Sequence, residues 1–306
     1  MKQGDLVVRI SYGKDILFII EALDTHMAII KGFDFRLIAD APVSDLEEIA
    51  DVASFKARKQ DQERVQQSMR SLEWHRYEQV RKVRSYRGYT TAEPQEQQVQ
   101  TADSSQQLYF EVPGKVLHLD GDPNYLQKSM ALYEKLRVPV EGHYIQESNM
   151  PEALRVLLPQ AKPDIVVITG HDSVIKQQRD SNLYNLSSYK NSAHFASAVM
   201  IARQYEKNRD SLTIIAGACQ SHFEALLQAG ANFASSPGRI LIHALDPVYI
   251  AAKASFTSIK DTINIVDVIN HTISGMEGVG GIETRGSYRI GLPNLMEYQN
   301  KLIPNA

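Results

Sequence analysis

The chain has 306 residues, of which 43% are hydrophobic, so it is long enough to bury a sizeable core. A formal net charge of −3 gives no overall basic field, which argues against nucleic acid as a partner. One cysteine excludes an internal disulfide and a cysteine-rich zinc site, and we expect no metal and no other cofactor. No apolar run approaches roughly 18 residues and the N-terminus lacks an apolar signal region, so we expect a cytoplasmic protein with no membrane partner.

Residues 1–50 carry several short strand patterns. The segments are DLVVRI, DILFIIEAL, HMAIIKG and FRLIADAP, and the turn-forming stretches SYGKD and KGFD lie between them. Short strands in close succession predict a small SH3-like β-barrel. Such a module serves either folding and docking or the recognition of a specific ligand, and the sequence leaves both roles open.

Residues 51–112 are predicted to form a basic helix followed by a linker, with the charged helical pattern starting near Asp45. Between Lys56 and Arg87 there are ten Lys or Arg residues against four Asp or Glu. A solvated helix face is the simpler interpretation, and contact with nucleic acid or an acidic partner is the alternative. The stretch TTAEPQEQQVQTADSSQQ is rich in glutamine and has no apolar period, which is typical of a flexible linker.

Residues 113–306 alternate between apolar strand patterns and helical patterns. The predicted strands are KVLHLDGD, EGHYIQ, DIVVITG, SLTIIAG, NFASS and RILIHAL, and the predicted helices cover residues 124–136, 150–158, 192–206, 220–228 and 247–255. This alternation predicts an α/β domain with a parallel, doubly wound sheet and right-handed crossovers. We expect the flavodoxin-like strand order 2-1-3-4, which makes the third and fourth strands neighbours.

A histidine and the single cysteine each follow one of these buried strands. His171 comes just after DIVVITG, and Cys219 comes just after SLTIIAG, 48 residues beyond His171. Carboxyl ends of parallel strands share one edge of a sheet, which is where such folds carry their active sites. An imidazole that takes the proton of a thiol generates a nucleophile at neutral pH. The pattern therefore predicts a catalytic pair, with Cys219 as nucleophile, His171 as general base and about 3 to 6 Å between them.

Other residues compete for roles near this pair. His222, His194 and His243 are weaker candidates for the general base. Asp120 and Asp122 lie at the end of the first strand of the sheet. The sequence leaves three roles open for them: orienting His171, binding a cation, or capping the next helix.

Three other enzyme classes fit the residues less well. A phosphorelay receiver needs an aspartate at the end of the third strand, where this chain has His171 instead. A glutamine amidotransferase needs its histidine after the cysteine, whereas the best histidine here precedes it. The glycine-rich residues 275–286 lack the lysine and serine that end a Walker motif, and a mobile C-terminal loop is the prediction there.

The two strand ends resemble those of known cysteine peptidases. A hydrophobic run ending in His, followed about fifty residues later by one ending in Ala-Cys, is similar to the caspase, legumain, clostripain and separase group. Here the second signature reads Ala218-Cys219-Gln220. Those families usually have glycine after the histidine, whereas here Gly170 precedes His171 and Asp172 follows it. This departure leaves the oxyanion donor open.

The chain resembles the YabG family of sporulation-specific peptidases from spore-forming Firmicutes over nearly its whole length. The matching segments are GDLVVRISYGKDILF, VLHLDGDPNYL, VVITGHDS, AGACQSHFEAL and SSPGRILIHALDPV. The resemblance implies a cysteine endopeptidase with a caspase-like α/β sandwich that processes spore-coat and related proteins. It implies that the protein acts in the mother-cell compartment or in the forming spore coat, with protein substrates as partners. The oligomeric state stays open.

The resemblance also suggests site residues beyond the catalytic pair. Oxyanion or orienting candidates are Gly170, Asp172 and Asp120, in addition to the backbone N–H of Cys219. Pocket candidates are Ser235 and Ser236 in the segment NFASSP, with Asp172 and Asp246 as acids for a basic P1 residue.

Self-cleavage is expected at Arg84 and Arg87, where the basic helix runs into the linker. The rival interpretation is a catalytically inactive scaffold, or a nucleic-acid-binding or protein-binding module, of coat assembly.

Overall fold

A computed structural model describes residues 1–49, 56–85, 110–175 and 183–291. Residues 1–49, called the N-terminal module below, form a five-stranded antiparallel sheet in the order β4-β3-β2-β1-β5. Its strands are β1 (Leu6–Arg9), β2 (Leu17–Leu23), β3 (Met27–Gly32), β4 (Ile38–Pro42) and β5 (Leu46–Glu48).

Apolar side chains on one face of this sheet, among them Val7, Phe18 and Ile30, make a separate small core. The four predicted strands are confirmed, whereas closure into an SH3-like barrel stays a prediction. The prediction of helix from Asp45 onward is wrong, because β5 pairs with β1 and buries Leu46.

A six-stranded sheet forms the centre of the larger part of the chain, in the order β8-β7-β9-β10-β11-β13. Its strands are β7 (Val116–Asp120), β8 (Val140–Tyr144), β9 (Ile165–Thr169), β10 (Thr213–Ala216), β11 (Phe233–Ser235) and β13 (Val279–Gly281). The first five along the chain are parallel, and β13 is antiparallel to β11. The order 2-1-3-4 expected for the first four is found, and likeness to the caspase fold stays a prediction.

Helices cover both faces of the central sheet because its strands are apolar on both sides. Helices α2 (Pro123–Leu136) and α6 (Asp246–Phe256) cover one face, where Ile165 and Val167 of β9 join their core. Helices α3 (Met150–Ala161) and α4 (Ser192–Tyr205) cover the other face, where Val166 and Ile168 join theirs. This alternation is what period-two side-chain geometry requires of a fully buried strand. The other helices of this part are α5 (Phe223–Ala229), α7 (Ile265–Asn270) and α8 (Gly275–Gly278).

Two predicted elements near Cys219 are wrong. The helix expected from residue 220 begins only at Phe223, because Gln220 has a φ of 56°, outside the helical region. The strand expected at RILIHAL is an irregular segment, and its only strand-like feature is an isolated bridge between His243 and Phe35. Ile242 and Ala244 within it are buried nonetheless, which explains why the sequence resembles a strand.

The remaining four strands are short and form two separate antiparallel pairs, β12 with β14 and β6 with β15. They are β6 (Phe110–Val112), β12 (Thr262–Ile263), β14 (Thr284–Arg285) and β15 (Arg289–Gly291). Because β6 pairs with β15, residues 110–112, predicted as the end of a linker, are strand in the structure. The glycine-rich residues 275–286, predicted as a loop, contain α8, β13 and β14.

Helix α1 (Lys56–Ser85) lies against the larger part of the chain. Leu72 and Met69 are buried in the core that α6 shares, and His75 Nε2 lies 3.1 Å from Thr257 Oγ1. The predicted helix is confirmed, but one of its faces is docked rather than solvated. Among the described helices, none is long and apolar enough to span a membrane.

Candidate active site

The two predicted catalytic residues follow neighbouring strands. Strands β9 and β10 are parallel, and Ile168 lies opposite Ala216 in their register. His171 comes two residues after the end of β9, and Cys219 comes three residues after the end of β10. The expected adjacency of the two strands is thus found, and the separation of sulfur and imidazole stays a prediction.

The sulfur of Cys219 is completely buried. Ile242 encloses it with its main chain: the Ile242 N–H donates to Sγ over 3.2 Å, and the thiol faces the Ile242 carbonyl oxygen at 3.6 Å. Burial raises the pKa of Cys219 to about 12, although the Ile242 N–H and the charge of Arg36 act in the opposite direction. In this conformation the thiol is protonated at neutral pH.

Residues 236–245, called the covering segment below, lie over the cysteine. The Gln220 N–H donates to the Ile240 carbonyl oxygen over 3.0 Å, and Ser236 Oγ donates to the same oxygen over 2.8 Å. At the far end of the segment, the Ala244 N–H donates to the Asp34 carbonyl oxygen over 2.8 Å. The covering segment is therefore held between the cysteine loop and the N-terminal module.

His171 is largely buried between two carboxylates. Its Nε2 lies 3.6 Å from Asp122 Oδ2, and its Nδ1 lies 3.8 Å from Glu147 Oε1. Burial lowers the pKa of His171 to about 4, with Asp122 opposing the shift and Arg36 adding to it. Among the described residues, Nε2 has no hydrogen-bond partner. The imidazole is therefore neutral at neutral pH, and a pKa this low makes it a weak base in this conformation.

Arg36 of the N-terminal module reaches the end of β7. Its Nη1 lies 2.7 Å from Asp120 Oδ1, and neither side chain is exposed. Burial favours the neutral form of Asp120, but the charge of Arg36, its hydrogen bond and the nearby His118 outweigh it and hold the Asp120 pKa well below its usual range. Arg36 was not predicted from the sequence. Its only local feature there is a charge beside an apolar strand pattern.

A second ion pair connects the module to the same strand end. Lys31 Nζ lies 2.5 Å from Asp122 Oδ2, while Asp122 Oδ1 accepts the N–H groups of Asn124 and Tyr125 and so caps α2. The capping role weighed for Asp122 is confirmed. Tyr125 in turn donates its hydroxyl to the carbonyl oxygens of Gly32 and Phe35.

Glu147 was also missed, and it fixes the loop that carries His171. Its Oε1 accepts the His171 N–H over 2.8 Å. A Cβ atom at Gly121 or Gly170 would lie 2.1 or 2.5 Å from Oε1, so both positions leave room for this carboxylate. Gly170, a candidate oxyanion donor, thus also has a packing reason to be glycine.

The two acids expected to bind a basic P1 side chain hold loops together. Asp172 is buried and accepts hydrogen bonds from the backbone N–H groups of Ser173 and Asn191 and from the hydroxyls of Ser192 and Ser221. Burial raises its pKa despite these donors. Its contacts join the His171 loop to the Cys219 loop.

Asp246 is fully buried and accepts the N–H groups of Ile273 and Ser274, and burial raises its pKa to about 6. The pocket candidates Ser235 and Ser236 are buried as well. The Ser236 N–H donates to the Gly278 carbonyl oxygen over 2.7 Å, and β11 ends at Ser235. A role of these side chains in recognising P1 stays a prediction.

The competing histidines have structural neighbours. His222 caps α5 by accepting the Ala225 N–H at Nδ1, and His243 stacks edge-on against Phe35. Burial lowers the pKa of His243 to about 3. His194 lies in the first turn of α4. No group of three or more His, Cys, Asp or Glu within residues 1–49, 56–85, 110–175 and 183–291 is arranged to hold a metal ion.

Comparison with known proteins gives two matches. The family model described as YabG peptidase U57 matches residues 2–293. The chain is 44% identical over 295 residues to a protein of Bacillus subtilis (strain 168) named "Sporulation-specific protease YabG". The alignment covers 95% of this chain and 97% of that protein.

Proposed function

We propose a catalytic assignment for this chain, which belongs to the YabG peptidase U57 family of sporulation proteases. Cys219 is the nucleophile and His171 is the general base, so the enzyme is a cysteine endopeptidase. The observation that carries the assignment is that both residues follow the carboxyl ends of adjacent parallel strands. The Nε2 atom of His171 has no hydrogen-bond partner among the described residues, which supports the role of proton acceptor.

The reaction proceeds through a thioester. His171 takes the proton of the Cys219 thiol, and the thiolate attacks the carbonyl carbon of the scissile peptide bond. The carbon–nitrogen bond then breaks, and the imidazolium gives its proton to the leaving amine. Water, deprotonated by the neutral imidazole, attacks the thioester carbonyl, and the regained proton returns to the sulfur as the acid product leaves. Backbone N–H groups of Cys219 and of the His171 loop stabilise the oxyanion in both steps.

The covering segment must move before this chemistry begins. A thiol with a pKa of about 12, enclosed by Ile242, is neither ionised nor accessible at neutral pH. The described conformation is therefore a resting state of the proposed enzyme. The same burial is the observation that favours the rival function, a catalytically inactive scaffold of coat assembly, so the decisive experiment measures cleavage directly.

Cysteine substitution separates the two functions. The full-length chain, its Cys219→Ala variant and its His171→Ala variant are incubated with a spore-coat extract and with casein, and the fragments are identified by mass spectrometry. We expect both variants to lose cleavage nearly completely, because residues that act as one unit lose function together. His194→Ala and His222→Ala are the controls and should retain activity. Cleavage by Cys219→Ala at the wild-type rate would assign the nucleophile elsewhere.

The proposed substrates are spore-coat and related sporulation proteins, processed in the cytoplasm of the mother cell or in the forming coat. A preference for basic P1 residues is part of the proposal, with self-cleavage at Arg84 or Arg87. Arg84 lies near the end of α1, and Arg87 lies outside the described residues. A tethered site has an effective concentration on the order of millimolar, which favours cleavage in cis.

Self-cleavage is tested without added substrate. Wild-type and Cys219→Ala chains are incubated side by side, and new N-termini are mapped over time. We expect new termini after Arg84 or Arg87 only in the wild-type sample. Equal fragmentation of the two samples, or an intact wild-type chain that still cleaves casein, contradicts this part of the proposal.

A further inference from the structure

A groove lies between the N-terminal module and the strand ends that carry the proposed catalytic pair. Its volume is about 490 Å³. One wall consists of β4 with Arg9 and Tyr12, and the other consists of residues 173–175 and Lys190. Gln220 and Leu241 also line it. These two residues are the chain neighbours of Cys219 and of Ile242, whose main chain contacts the sulfur, so the groove extends to within one residue of the nucleophile.

Residues 37–40 supply the groove wall at β4, and all but Asp40 are apolar. Leu37 and Ala39 are partly buried against the core of the N-terminal module. Ile38, between them, is 48% exposed. Tyr12 and Ile175, which also line the groove, are 58% and 37% exposed. Exposed apolar side chains that converge from both walls are the usual feature of a recognition site.

The main chain of β4 adds a second feature. In the five-stranded sheet, β4 pairs with β3 and lies at the edge, with no second strand partner among the described residues. An edge strand can add another extended chain through main-chain hydrogen bonds. Since a peptidase must hold its substrate extended across the nucleophile, an edge strand that borders the cysteine loop suits a polypeptide rather than a compact ligand.

We propose that this groove binds an extended segment of the protein substrate, with an apolar side chain packed on Ile38 and Tyr12. The N-terminal module therefore forms one wall of the substrate site. This inference rests on the proposed function and deepens it. It gives the module the specific recognition role that the sequence left open. This groove is not lined by Ser235, Ser236 or Asp246, the residues that the sequence suggested for a P1 pocket.

Binding is measured apart from cleavage in the full-length Cys219→Ala chain. The probe is fluorescein-labelled β-casein, a polypeptide with little fixed structure, and the readout is fluorescence anisotropy. Adding Ile38→Asp should weaken binding about tenfold, since a charge placed in an apolar contact of an interface commonly costs that much. The matched control is Val156→Asp on α3, which replaces a 54% exposed branched side chain outside the groove and should leave affinity unchanged.

The single cysteine of the chain allows the site to be mapped. In the Cys219→Ala background, Ile38→Cys carries the only thiol, which is labelled with a benzophenone maleimide. Irradiation with labelled β-casein should give a crosslinked product that unlabelled β-casein suppresses. Val156→Cys, treated identically, should give none. Equal crosslinking from both positions, or equal affinity of the Ile38→Asp and Val156→Asp chains, overturns the proposal.

Cleavage kinetics are measured separately from binding affinity. With Cys219 intact, Ile38→Asp should raise the KM for β-casein about tenfold and change kcat by less than about twofold, which indicates a binding role. If Cys219→Ala still cleaves, the proposed nucleophile is wrong, yet the anisotropy and crosslinking results still decide where the polypeptide binds. If Cys219→Ala is inactive and Ile38→Asp binds normally, the proposed function stands and the groove proposal falls.

Discussion

Arg36 Nη1 lies 2.7 Å from Asp120 Oδ1 in the interior of the molecule, where neither side chain is exposed to solvent. The two residues are 84 positions apart in the chain: Arg36 lies in the loop between β3 and β4, and Asp120 ends β7. Arg36 also donates to the Ala244 carbonyl oxygen and lies 5.0 Å from the centre of the Tyr125 ring. One side chain of the N-terminal module thus contacts the end of β7, the covering segment and helix α2.

Removing one partner of this pair should destabilise the protein strongly. Arg36→Met leaves the Asp120 carboxylate buried without its main counter-charge, and breaking such a pair costs about 3–5 kcal/mol. The free energy of unfolding in urea measures the loss. Lys14→Met is the control, because the ion pair of Lys14 with Glu47 lies in the same module but is solvent-exposed and should contribute little. A loss no larger than that of the control contradicts the role assigned to the pair.

Much of the fold was predictable because its strands are unusually clear in the sequence. The apolar runs that became β9 and β10 end in small residues, and their spacing leaves room for one crossover helix. The same logic failed at RILIHAL, where buried apolar side chains such as Ile242 belong to an irregular segment rather than to a paired strand. Local pattern carries no information on which surface will cover a segment.

The candidate site was predictable only in part, for a related reason. Cys219 and His171 stood out because a reactive side chain at the end of an apolar run is a local signal. Arg36 and Glu147 gave no comparable signal, since their partners lie 84 and 24 positions away. Burial of the thiol depends on Ile242 in an irregular segment, which no periodicity could predict.

The titration of His171 should be displaced to low pH. Its pKa of about 4 lies below the ordinary value near 6.5, so between these values the unfolded chain binds a proton that the folded chain does not. The free energy of unfolding should therefore fall as pH decreases through this window. Comparison of wild type with His171→Gln isolates the effect, because shifts at Asp246 and His243 are common to both. Identical pH profiles of the two proteins contradict the prediction.

Alkylation of Cys219 should be slow in the folded protein. Because burial raises the pKa of the thiol to about 12, the thiolate fraction at pH 7 is very small, and it grows as pH rises. The rate of reaction with iodoacetamide, followed by mass spectrometry, should increase steadily from pH 7 to 10. In urea the exposed thiol should react quickly and level off near pH 8.5. A plateau near pH 8.5 in the folded protein would show an accessible thiol instead.

A methyl group at position 170 should displace Glu147. In Gly170→Ala the new Cβ would lie 2.5 Å from Glu147 Oε1, so this carboxylate must leave the His171 N–H. We expect a loss of about 1–3 kcal/mol of stability, the usual cost of a buried donor without its partner. In a Glu147→Ala background the same substitution should cost less, because the clash is gone. Equal costs in both backgrounds, measured by urea unfolding, contradict the contact.

Docking of helix α1 should depend on the side chains of its buried face rather than on those of its exposed face. Leu72 is 2% exposed and lies in the core that α6 shares, whereas Trp74, two residues away, is 59% exposed. Leu72→Ala should cost about 2–5 kcal/mol through lost burial and the cavity left behind. Trp74→Ala should change stability by no more than about 0.5 kcal/mol, as is typical of surface positions. Amide hydrogen exchange along α1, compared between the two variants, shows whether the helix opens locally or only with the whole protein. Faster exchange in α1 for Leu72→Ala alone supports docking through this face, whereas equal exchange in both variants contradicts it.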